Sequence, residues 1–201
     1  MRGLLVDYGG VLTTNVFDSF REFCVAEGLE GDAIMRVLRE DPRAIRLVRA
    51  LETGELTEDG FGDRFGDLLG IDDRAGLVDR MFAGMRPDEE MLAALRRARA
   101  SGVRTGLISN SMGVDRYDRS AFPDLFDGVV ISGEVGMHKP QAEIFLLGAE
   151  RAGVDPGDCV FVDDLRQNCE GAEAVGMTAV LHRGAEHTVP ELERLLGVEL
   201  R

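Results

Sequence analysis

The run Leu4-Leu5-Val6-Asp7-Tyr8-Gly9-Gly10-Val11-Leu12 decides how the rest of the chain is read. Its apolar start predicts a buried strand. The strand ends in a carboxylate, and two glycines then turn the chain. An Asp at the carboxyl end of the first strand of an α/β sheet stands where such sheets bind ligands. Asp7 is therefore expected to be a nucleophile or a metal ligand whose partners come from later segments. From this stretch alone a plainer role, capping the turn before a helix, stays open.

After Leu12 the pattern turns helical. Asn15 is placed to cap a helix carrying Val16, Phe20, Phe23 and Cys24 on one face and ending near Gly28. Further helices are expected over residues 32–40 and 43–52, parted by Pro42, then over 57–70 with Phe61, Phe65, Leu68 and Leu69 on one side. One more starts at Asp72 or Asp73 and runs to Phe82. No strand is expected between residues 13 and 86, so a helical lobe, 13–86, is inserted after the first strand. From Pro87 helices and strands alternate. A helix over 88–100 has acids at its positive end and arginines at its negative end, and Gly102 stops it. Strands are expected over 103–108, 129–131, 159–162 and 178–181, and helices over 141–152, 165–175 and 190–196. The alternation implies an α/β core, residues 1–12 and 87–201, built on a mostly parallel sheet with helices on both faces.

The composition narrows the function classes. With 201 residues and 44% hydrophobic side chains, a sizeable core is available. A net charge of -14 argues against nucleic-acid binding, because phosphates would be repelled. No apolar run is long enough to span a bilayer, and the N-terminus has no secretory pattern, so a cytoplasmic protein without membrane partners is expected. Cys24, Cys159 and Cys169 lack metal-type spacing, and Cys24 and Cys159 sit in apolar patterns as reduced core residues. Lys139 is the only lysine among 23 basic residues. A compact ammonium kept at one place, where arginine serves everywhere else, points to one anion met in a tight pocket.

The polar residues of interest follow strands: Asp7, then Ser109 and Asn110, then Asp163 and Asp164, with Lys139 opening the helix after the third strand. In a parallel sheet these ends share one edge. Three carboxylates repel one another unless a cation sits among them, and all-oxygen ligation favours Mg²⁺. Ser109 and nearby backbone N–H groups can hold phosphate oxygens, Lys139 can neutralise them, and a carboxylate can attack phosphorus to give an aspartyl-phosphate that water hydrolyses. Asp163-Asp164 would also serve as a helix cap, though two acids exceed what a cap needs.

These segments together resemble the haloacid dehalogenase superfamily, most of whose members are phosphatases. The likeness covers essentially the whole chain and rests on Asp7, on Leu107-Ile108-Ser109-Asn110, on His138-Lys139-Pro140 and on Phe161-Val162-Asp163-Asp164, in that order. It implies a Rossmann-like core with a helical cap over residues 13–86. It further implies Asp7 as nucleophile and Asp7, Asp164 and the Gly9 carbonyl as Mg²⁺ ligands, with Asp163 as ligand or support. Ser109, Asn110, Lys139 and Gly10 fall at the phosphate. Asn168, Glu170-Gly171-Ala172 and Gly54-Glu55-Leu56 bring the chain closer to bacterial sugar-phosphate phosphatases that include an α-D-glucose-1-phosphate phosphatase. The implied substrate is a small phosphorylated metabolite, a sugar phosphate favoured, and the implied assembly a monomer or homodimer.

One departure stands out. Gly9 occupies the position where the superfamily usually has a second Asp that protonates the leaving group, a kind of help that typically contributes about 10²–10⁴-fold. The gap admits an acid from the cap or the substrate, or a weakly catalytic binding or regulatory protein. A true dehalogenase is disfavoured by Asp164-Leu165 where Ser and Asn are expected and by Phe145 where Tyr is expected. A Schiff-base phosphonate hydrolase fails for want of a second lysine. Arg43, Arg46 and Arg49 read as a solvated helix face. His138 is a candidate stand-in acid, and Tyr8 a residue lining the site.

Overall fold

The computed structural model describes residues 2–114 and 117–201. Five strands, β1 (Gly3–Val6), β2 (Arg104–Ser109), β3 (Gly128–Ile131), β4 (Cys159–Asp163) and β5 (Thr178–Leu181), form one sheet in the order β3-β2-β1-β4-β5. Every neighbouring pair is parallel. Such a sheet needs cover on both faces. Leu4 and Val6 point to one face, where they join Met91, Leu95, Val189 and Leu192 from helices α6 (Glu89–Ala100) and α11 (Ala185–Leu196). Leu5 points to the other, against Ile144 and Phe145 of α9 (Ala142–Ala152) and Ala172 of α10 (Arg166–Ala174). This two-sided burial is why β1 reads as an uninterrupted apolar run.

The register sets the active edge. Val6 pairs with Leu107 on one side and Val162 on the other, so β1, β2 and β4 end nearly level. Asp7 follows β1 directly, its N–H bonded to the Val162 carbonyl at 2.9 Å.

Between β1 and α6 lie five helices: α1 (Val16–Ala26), α2 (Ala33–Glu40), α3 (Pro42–Glu52), α4 (Glu58–Leu69) and α5 (Leu77–Phe82). They enclose a core of their own that includes Phe20, Phe23, Phe61, Phe65 and Met81. Asn15 caps α1 by accepting from the Phe17 N–H, and Thr57 caps α4 by accepting from the Gly60 N–H. The two connections to the sheet are bonded to each other: Thr14 N–H donates to the Arg86 carbonyl at 2.7 Å and Asp88 N–H to the Leu12 carbonyl at 2.9 Å, beside a Thr13–Pro87 bridge.

Two boundaries differ from expectation. Helix α5 begins at Leu77, because the Asp73 carboxylate accepts from the Ala75 N–H and makes a turn where a helix start was expected. Helix α11 begins at Ala185, with Pro190 inside it. Ala185, Thr188 and Val189 are buried, and that packing outweighs the hydrogen bond the proline lacks. Two short helices, α7 (Phe122–Leu125) and α8 (Ser132–Val135), were not expected at all. Among the described residues no helix is long and apolar enough to cross a membrane, and all three cysteines are buried and free.

Candidate active site

Asp7, Ser109, Asn110, Lys139 and Asp164 line one cleft of about 860 Å³ between the sheet edge and the helical insert. Lys139 is its hub. The ammonium is buried, 2.8 Å from Asp7 Oδ1 and 2.7 Å from Asp163 Oδ2, and 5.5 Å from the centre of the Phe161 ring. Its backbone is clamped as well: the Lys139 N–H donates to Asn110 Oδ1 at 2.8 Å, and Asn110 Nδ2 donates to the Lys139 carbonyl at 3.2 Å. The Asn110 amide oxygen and one Nδ2 hydrogen thus hold the lysine backbone.

Asp163 is wholly buried and bonded on both oxygens. Besides Lys139 it accepts from Leu165 N–H and Asn168 Nδ2, both at 2.9 Å. Asp7 is bound on one oxygen only: Oδ1 accepts from Tyr8 N–H at 2.7 Å and from Lys139, and Oδ2 has no hydrogen-bond partner among the described residues. Asp164 faces the cleft and makes no ion pair with the lysine.

Electrostatics follow from crowding. Burial pushes Asp7 up to about 7, with Asp163 and Asp164 adding to the rise and Lys139 opposing it. Burial and Asp163 push Asp164 up to about 6. Burial pulls Lys139 down, but Asp163 and Asp7 outweigh it and hold the ammonium above the ordinary lysine value. One cation thus stands against three carboxylates. Ligand atoms of Asp7, Asp163 and Asp164 lie within 4.8 Å of one another. This donor set is short of positive charge and all oxygen, which fits a hard divalent ion. The Asn168 Oδ1, buried beside it, has no partner.

The two glycines act differently. Gly10 has φ +77°, and a Cβ there would lie 2.5 Å from Asp164 Oδ2, so only glycine lets that carboxylate approach. Its N–H donates to Thr13 Oγ1 at 3.1 Å. At Gly9 a Cβ would meet Val16 Cγ2 at 3.0 Å, so the insert's first helix fills the space beside the missing side chain.

Two cleft residues carried no sequence signal. Tyr117 donates its hydroxyl to Ser109 Oγ at 2.9 Å and stacks edge-on to Tyr8, and its burial holds the phenol well above its ordinary pKa. The Ser109–Tyr117 spacing of eight residues fits no local motif. Glu52, the last residue of α3, lines the cleft from the insert. The histidines stand apart: the His138 ring bonds the Lys139 carbonyl at 2.9 Å away from the cleft lining, and His182 pairs with Thr188.

The profile of the haloacid dehalogenase-like hydrolases matches residues 1–176. A glyceraldehyde 3-phosphate phosphatase from Methanopyrus kandleri is 33% identical over 111 residues, 53% of this chain and 48% of that protein. The chain therefore spans about half the length of this curated relative. The sesquiterpene phosphatase astK of Aspergillus oryzae is 28% identical over 151 residues, 73% of this chain and 77% of that protein. In three dimensions the chain is similar to a HAD family enzyme from Bacteroides thetaiotaomicron in complex with magnesium and inorganic phosphate. The TM-score is 0.64 at 24% identity, covering 91% of this chain and 94% of that one.

Proposed function

This chain belongs to the haloacid dehalogenase-like hydrolases, and on that premise we propose that it is a magnesium-dependent phosphomonoesterase that turns over through a phosphorylated Asp7. The observation that carries this reading is the division of labour at Lys139. Among the described residues, the lysine binds one oxygen of Asp7 and leaves the other free, and it makes no ion pair with Asp164 across the cleft. A nucleophile needs the free oxygen, and a hard cation needs the unpaired acid.

The residues then take these roles. Asp7 Oδ2 attacks phosphorus while Lys139 keeps Oδ1 oriented and offsets the charge of the incoming phosphate. Ser109, its hydroxyl oriented by Tyr117, donates to a phosphate oxygen. Asp7, Asp164 and the Gly9 carbonyl would hold Mg²⁺, with Asp163 behind them fixing the lysine. When bound, the ion supplies positive charge that favours the ionised form of Asp7 and draws in the phosphate. The relative crystallised with magnesium and phosphate supports that choice of ion. Residues 13–86 act as a cap over the phosphate.

The leaving group is the finer question. The resemblance of the motifs favours a sugar, and the Methanopyrus relative is named for a small sugar-like phosphate. The cap wall adds an apolar surface, since Phe17, Leu38, Val48, Phe82 and Met85 face the cleft beside the carboxyls of Glu52, Glu58 and Asp79. We therefore propose a phosphomonoester whose alcohol carries a hydrocarbon portion. A panel of alkyl, aryl and sugar phosphates, assayed with and without Mg²⁺ beside Asp7→Asn, tests the whole reading. Metal-dependent phosphate release by the wild type and none by the variant is expected. Release by neither, or equal release by both, overturns it, and chloride release from 2-chloropropionate without metal would restore dehalogenation.

A further inference from the structure

Gly9 leaves the reaction without a proton donor, and an alkoxide is a poor leaving group unless protonated as it departs. The donor must lie opposite Asp7, because phosphoryl transfer runs in line and the leaving oxygen departs from the face away from the nucleophile. That face is the cap side of the cleft. Three acids of the insert line it: Glu52, Glu58 and Asp79. Glu58 and Asp79 already interact with other groups. The Glu52 side chain has no hydrogen-bond or ion-pair partner among the described residues.

The fold holds Glu52 in place from the core. Its carbonyl accepts from Ser132 Oγ, and that hydroxyl oxygen in turn accepts from the Ser111 N–H at 2.8 Å. Two residues on, Gly54 has φ +76°, and a Cβ there would lie 2.8 Å from the Gly133 carbonyl oxygen. The end of α3 thus rests directly on α8, and any side chain at position 54 would lift it away. Leu51, buried in the core of the insert, fixes the other side.

We infer that Glu52 is the general acid and base of this enzyme, an acid delivered by the cap in place of the one absent at Gly9. The assignment rests on the phosphomonoesterase reading. Burial lifts the carboxyl to about 7, against the opposing pull of Lys139 and Arg49, so both protonation states are populated near neutrality. In the first step Asp7 Oδ2 bonds to phosphorus, the bond to the leaving oxygen breaks, and that oxygen takes the Glu52 proton. In the second, water attacks phosphorus from the vacated side and gives its proton to the Glu52 carboxylate. The bond to Asp7 breaks, releasing inorganic phosphate and returning both carboxyls to their starting states. One residue serves both steps because leaving group and water occupy the same face.

The test is leaving-group dependence in Glu52→Gln, which keeps the shape and removes the proton. Against an alkyl phosphate kcat/KM is expected to fall by about 10²–10⁴-fold, and against p-nitrophenyl phosphate, whose phenolate departs without help, by less than about tenfold. A burst of p-nitrophenol is expected as phosphorylated Asp7 accumulates. The ratio of the two kcat/KM values is independent of the fraction of folded enzyme, so a packing defect does not imitate the result. An unchanged ratio overturns the assignment of Glu52 and leaves the phosphomonoesterase standing. Failure of the wild type on both esters in Mg²⁺ overturns the phosphomonoesterase itself and the assignment with it.

Discussion

Lys139 shows how much one residue type can carry. A guanidinium is wider than an ammonium and presents its donors in a plane, whereas Asp7 and Asp163 meet a single nitrogen from two directions at 2.8 and 2.7 Å. Lys139→Met would leave two buried carboxylates facing each other. Removing one partner of a buried ion pair is expected to cost about 3–5 kcal/mol, read as a lower urea midpoint. A variant as stable as the wild type would mean that a proton taken up by the carboxyls replaces the lysine's charge. Gly10→Ala makes a separate point, since it strains a left-handed backbone and sets a methyl against Asp164. It is expected to cost about 1–2 kcal/mol of stability and to raise the Mg²⁺ concentration for half-maximal activity. A metal requirement that does not move would separate Asp164 from the ion.

The residues legible in the sequence were those whose chemistry follows a strand. Asp7, Lys139 and Asp163-Asp164 announced themselves because a parallel sheet gathers its carboxyl ends. What stayed hidden depended on contacts between distant segments. Asn110 reads as an ordinary loop amide until the backbone of Lys139 is seen across from it. The Gly10 N–H gains its Thr13 acceptor only in the folded turn, and Glu52 finds its place only when α8 comes up beneath the end of α3. Tyr117 lies in a segment without periodicity.

At the scale of elements, α1 borders both the turn after Asp7 and the cleft. Val16 stands against Gly9, and one position on Phe17 faces the cleft although it is 37% exposed. An apolar side chain open to water inside a cleft gains when an apolar ligand covers it. Phe17→Ser is expected to lower kcat/KM for a medium-chain alkyl phosphate by about five- to tenfold, the worth of roughly 1–1.4 kcal/mol of apolar burial, while leaving a hexose phosphate unaffected. The opposite selectivity would return the site to sugars. Helix α11 carries the complementary lesson about sequence. Pro190 reads as a helix start, yet the buried face of Ala185, Thr188 and Val189 extends the helix past it, because packing outweighs one lost backbone bond.

For the molecule as a whole, charge and metal are tied together. A net charge of -14 repels itself in the folded state, and three of the acids are gathered at one sheet edge around a single lysine. A divalent ion held there is therefore a folding ligand as well as a reagent. At about a hundredfold its Kd, Mg²⁺ should stabilise the fold by roughly 2.7 kcal/mol, a rise in Tm of about 5–10 °C for a chain of this size. Screening alone also steadies so acidic a protein, so the comparison needs NaCl at matched ionic strength. Asp164→Asn separates the two effects, since it removes one ligand and hardly alters the overall charge. The wild type should melt higher in Mg²⁺ than in matched NaCl, and the variant should melt alike in both. A variant that gains as much as the wild type would show that the ion acts on the acidic surface at large, and that Asp164 is not its ligand.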